Sequence, residues 1–150
     1  MNPSREALGA QPVPVRAGLA SLPAGGQRRR LPLVGLPRPV SRARAFTVDA
    51  LADWSWPDPG RAGDVVLLVA ELVANAALHA GGALELVLHT SATRLRVEVS
   101  DRSRVVPVPR EPHRPASPGG HGLIVVRRAA DRWGTALHHH GKTVWAEVDV

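Results

Sequence analysis

Apolar residues return at helical spacing between Pro39 and about Trp54, where Val40, Ala43, Phe46 or Thr47, Ala50, Leu51 and Trp54 would share one face. WPDPG (56–60) closes this helix as a turn. A second helix is predicted from about Arg61 to Ala80, and Gly81-Gly82 stops it. It is apolar nearly all round, through Val65, Val66, Leu67, Leu68, Val69, Leu72, Val73, Ala76, Ala77 and Leu78, a pattern that predicts burial on every side. The period then changes to two. ALELVLHT (83–90) and RLRVEVSD (94–101) read as strands joined by the short turn Ser91-Ala92-Thr93. The strict alternation in RLRVEV leaves one face of its strand wet. Residues 102–121 hold five prolines and no periodicity, which marks a lid, a binding loop or disorder. A short helix is predicted at 122–133. Two strands, TALHHH and KTVWAEVDV, follow and join near Gly141.

Near the start, LPLVGLP (31–37) reads as an edge strand bounded by prolines. Residues 1–30 are rich in Pro, Gly and Arg and are expected to be a disordered basic tail, leaving 31–150 as one domain. Helices and hairpins are segregated, so the fold class is α+β: a two-layer sandwich of a mixed, mostly antiparallel sheet with about three helices on one face.

Charge refines this picture. The chain carries +6 overall, yet residues 1–44 hold eight Arg against one Glu, and 45–150 hold 11 basic against 12 acidic residues. The basicity sits outside the main body. With one Phe, no Tyr and four Trp there is little to stack on bases, so specific nucleic-acid binding is not expected. The absence of cysteine excludes disulfides and thiolate metal sites. No continuous apolar run of about 18 residues and no signal-like h-region are found, so no membrane partner is expected and a cytoplasmic location is the default.

Three constellations bear chemistry. Glu71, Asn75 and His79 recur every fourth residue on the second helix, so they form one polar stripe. A buried carboxylate and amide need partners, which predicts a polar cavity in front of them. There a carboxylate can act as general base and an amide oxygen can ligate a hard cation such as Mg²⁺. The other reading is a solvent-facing stripe or a Glu–Arg pair to another helix. Gly119-Gly120-His121-Gly122-Leu123 opens the short helix, where close backbone approach and N-terminal N–H groups favour phosphate; alternatively it is a hinge. Asp101 ends a strand before the long loop, where it would accept from an amino group or close an Asx turn. GKT (141–143) is not a P-loop, because Ala136 stands where that pattern needs glycine and a strand follows instead of a helix. The run His138-His139-His140 is a poor metal site, since neighbours on a strand face opposite ways.

Taken in order, ELVANAALHA, VSDRS, the Pro-rich loop, GGHGLIVV, DRWG and GKTVWAEV resemble the Bergerat-fold ATPases, and within them the small bacterial regulators related to anti-sigma-factor serine kinases. The likeness covers about residues 31–150. It implies a Bergerat fold, ATP and Mg²⁺ as cofactors, and an ATP lid at about 102–121. It implies that Glu71 is the general base, that Asn75 ligates Mg²⁺ and that Asp101 reads the adenine amino group. Gly120 and Gly122, with Gly119, His121 and Leu123 beside them, would meet the phosphates, and Thr143 would lie near Asp101. The implied activity is a serine/threonine kinase acting on an antagonist protein, with a sigma factor or an anti-anti-sigma-type antagonist as partner and a homodimer left open. The family's adenine box is D-x-G-x-G. Here it is Asp101-Arg102-Ser103-Arg104-Val105, so Ser103 and Val105 replace both glycines. That departure raises a non-catalytic binding module as the alternative. A histidine-kinase catalytic fragment is a third reading, disfavoured because no dimerisation helix pair precedes the domain in this sequence.

Overall fold

The computed structural model describes residues 26–106, 125, 126 and 128–150. In chain order the elements are β1 (Gln27–Pro32), α1 (Pro39–Asp53), α2 (Pro59–His79), β2 (Ala83–Thr90), β3 (Arg94–Asp101), β4 (Arg132–His138) and β5 (Gly141–Asp149). Residues 125, 126, 128 and 129 are helical as well. The strands form one sheet of order β1-β2-β3-β5-β4, and every pairing in it is antiparallel. With the helices packed against this sheet, the domain is an α+β two-layer sandwich.

Alternation sorts the two faces. Leu95, Val97 and Val99 of β3 join Leu86 and Leu88 of β2 and Val144, Ala146 and Val148 of β5 in one core. Ala43, Ala50 and Leu51 of α1 and Val65, Leu68, Val69, Leu72, Val73 and Ala76 of α2 close it from above. Val126 and Ala129 pack into the same cluster. The opposite sheet face is wet, as the alternation predicts, and carries an ionic layer in which Arg94, Arg96 and Arg132 converge on Glu147. There Arg96 lies 4.3 Å above the Trp145 ring. Gly134 faces that ring from β4, where a Cβ would come within 2.9 Å of it.

Several boundaries differ from expectation. β1 covers Gln27–Pro32 rather than 31–37, so three arginines assigned to the tail are part of the sheet. Two of them are anchored: Arg29 donates to Asp53 and Arg30 to Glu85, while Trp54 Nε1 donates to Gln27. α2 begins at Pro59, because Asp58 caps it by accepting from the N–H groups of Gly60 and Arg61. It ends through Gly82 N–H to Ala76 O at 3.0 Å, a closure made possible by φ +71° at Gly81. β4 begins at Arg132, so Asp131 to Trp133 are not helical, and His139-His140 form the turn ahead of Gly141. Nor is α2 buried on every side. Leu67 is 45% and Leu78 61% exposed, on the face away from the core. Its length and composition would suffice to cross a bilayer, and here it serves as the core helix.

Candidate functional site

β3 and β5 meet at the end of the sheet where Asp101 lies. Asp101 continues the core-facing row of Leu95, Val97 and Val99, and the register sets it opposite Lys142. The two strands touch closely there. A Cβ on Gly141 would fall 2.0 Å from the Asp101 carbonyl oxygen, so only glycine admits this approach. Both side chains are out of water, at 4% exposure for Asp101 and 5% for Lys142. Lys142 Nζ donates to Asp101 Oδ1 at 3.0 Å and to the Ser103 carbonyl at 3.3 Å. The same Oδ1 accepts the Ser103 N–H at 2.8 Å, the Asx turn anticipated for a carboxylate at a strand exit. In the sequence GKT is rejected as a P-loop and enters the family likeness within GKTVWAEV, and neither reading gives Lys142 a role. The available signal was compositional: it is the single lysine in a chain with 18 arginines.

Ser103 is integral to this turn. Its N–H and carbonyl serve Asp101 and Lys142, and its hydroxyl accepts the Val105 N–H at 3.1 Å. The positive-φ non-glycine residues among those described are Arg38 and Ser55, so neither Ser103 nor Val105 sits where glycine is conformationally required. Val105 points into solvent.

Glu71 and Asn75 share an open flank of α2 and are half-buried rather than fully buried. Among the described residues neither side chain has a hydrogen-bond partner, and no Glu–Arg pair forms at Glu71. Among the described residues the buried polar atom without a partner is Trp56 Nε1, so neither Glu71 nor Asn75 carries that cost. His79 lies exposed on the last turn, where a cation suits the helix dipole. α2 ends at His79 and β2 starts at Ala83, which pairs with Asp101. The last two turns of α2 and the Asp101–Lys142 pair therefore belong to the same end of the sheet.

Thr143 lies elsewhere. Next to Lys142 on a strand, it projects to the wet face, where its Oγ1 is 3.2 Å from Ser100 Oγ and 2.6 Å from His138 Nε2. The expected proximity of its side chain to the Asp101 carboxyl is not found, because neighbouring strand residues face opposite ways. Gly119, Gly120, His121, Gly122 and Leu123 lie outside the described residues, as does most of the loop at 102–121. Among the described residues no three His, Cys, Asp or Glu side chains cluster as a metal cage. A single amide oxygen at Asn75 does fit Mg²⁺, which usually takes few protein ligands and completes its shell with waters and phosphates.

The model of one protein family, the histidine kinase-like ATPase domain, matches residues 33–148. No curated protein matches the chain.

Proposed function

The chain belongs to the histidine kinase-like ATPase domain family and is thus an ATP-binding domain; from that premise we propose that it is a protein serine/threonine kinase of the anti-sigma-factor type. The γ-phosphate of ATP passes to a Ser or Thr of a small antagonist protein, and a sigma factor is the second partner. The observation that carries this reading is the position of Glu71 and Asn75. Both stand on an open flank of α2, without partners among the described residues, at the same end of the sheet as Asp101. In this reading Glu71 orients an incoming hydroxyl and takes its proton, and Asn75 holds Mg²⁺ jointly with the phosphates. Bound there, Mg²⁺ would supply charge neutralisation, which with positioning makes up most of the demand of phosphoryl transfer. The test is transfer of labelled γ-phosphate to antagonist candidates, read by mass spectrometry at Ser and Thr. Glu71→Ala is expected to lower the rate by at least about 100-fold. Transfer that persists unchanged in this variant removes Glu71 as the base.

One observation favours a second reading, a nucleotide-dependent or nucleotide-free docking module. Asp101, the residue expected to read adenine, already holds an internal ammonium. Calorimetry with an ATP analogue and Mg²⁺ separates the readings. Tight binding without transfer favours the module. No binding excludes the kinase.

A further inference from the structure

A carboxylate that reads an adenine amino group by itself rejects a purine with oxygen at that position, since two acceptors then face each other without a proton between them. Asp101 is not by itself. Its Oδ1 takes both the Ser103 N–H and Lys142 Nζ, and its negative charge is matched by a cation 3.0 Å away. An ammonium has three protons. Among the described residues Asp101 and the Ser103 carbonyl take two of them, which leaves one to donate. Among the described residues Oδ2 has no partner, which leaves one acceptor. The pair thus offers a donor beside an acceptor, held by two strands that only Gly141 lets come so close.

We propose that the Asp101–Lys142 pair is a specificity-determining element that relaxes base choice, admitting 6-oxopurine nucleotides alongside 6-aminopurine nucleotides. This rests on the nucleotide-binding reading above. A 6-aminopurine gives an amino proton to the carboxylate and takes the ammonium proton at N7. A 6-oxopurine takes the ammonium proton at O6 and gives its N1 proton to the carboxylate. Either edge is satisfied by a small in-plane shift, and neither sets two acceptors face to face. Lys142 also keeps the carboxylate in place by bridging it to Ser103, so the reader stays oriented while its selectivity is lost.

ADP and IDP test this, because they differ at the base and carry no γ-phosphate to transfer. Titrated calorimetrically with Mg²⁺ into the full chain at about pH 8, well above the ordinary carboxyl range, the two are expected to bind within about tenfold of each other. Lys142→Met leaves a bare carboxylate, and its preference for ADP is expected to rise to about 100-fold or more, as in sites built around one hydrogen-bonding pattern. A general loss of packing would weaken both nucleotides together and leave their ratio unchanged. A wild-type preference for ADP above about 100-fold overturns the proposal, and this arm stands even where the variant does not fold. An equal ratio in wild type and a folded variant also overturns it. If neither nucleotide binds the wild type, the nucleotide-site reading itself fails, an outcome distinct from strong discrimination.

Discussion

At the scale of single residues, the site depends on a glycine as much as on its charged groups. Gly141 brings no side chain, and its missing Cβ lets β5 start against the Asp101 carbonyl. Gly141→Ala is expected to push the strand ends apart, lower stability by about 2–3 kcal/mol and weaken nucleotide binding. Urea unfolding and calorimetry on the same sample check both effects. A stable variant with unaltered binding would show that the approach is dispensable. Little of this was legible in the sequence. Asp101 stood out because it ends an alternating run, but its partner 41 residues on is set by register, which no local pattern encodes. The polar stripe was legible in its period and not in its burial. Its period follows from 3.6 residues per turn, whereas its exposure depends on which flank of α2 the sheet leaves open. The missing glycines looked damaging because the D-x-G-x-G comparison carries a conformational demand that this backbone does not make at 103 or 105.

At the scale of elements, the strands with an apolar period were found where they were expected, and the polar strand was not. β2 and β3 match their expected limits because alternation against a core is a strong signal. β1 is an edge strand of QRRRLP held by backbone pairing to β2 and by ion pairs, so it has no hydrophobic period to detect. β4 was misplaced because Val126, Ala129, Ala130 and Trp133 keep helical spacing across the point where the helix stops. The start of α2 was misread for a simpler reason. WPDPG contains both a turn signal and a helix start, and the start prevails because Asp58 accepts from the N–H groups of Gly60 and Arg61 just beyond Pro59. Asp58→Ala is expected to cost about 1 kcal/mol of unfolding free energy, with Asp58→Asn close to wild type. Equal losses in both variants would mean that the charge, and not the cap, matters.

At the scale of the whole molecule, the sheet has one face for the core and one for ions. Glu147 is held below the usual glutamate range chiefly by the hydrogen bond from Arg132; burial opposes this, and Arg96 and Arg94 add to it. Asp149 is held low by the same Arg132. Carboxylates with depressed folded-state values stabilise above their unfolded-state values, and that contribution is lost as pH falls through the folded ones. The melting temperature is therefore expected to drop as pH is lowered below about 4.3, the ordinary glutamate value. Glu147→Gln should flatten that drop while lowering stability at neutral pH, where its three arginines lose their shared partner. A profile of the same steepness in the variant would assign acid sensitivity to other groups. The rarity of lysine has a consequence for the chemistry done to this protein. Its one ε-amine is the ammonium enclosed against Asp101, so amine-directed acylation or reductive methylation finds the chain's α-amino group and almost nothing else. The slow modification of that single internal site, followed by intact mass, then becomes a clock for how often the Asp101–Lys142 end of the sheet opens.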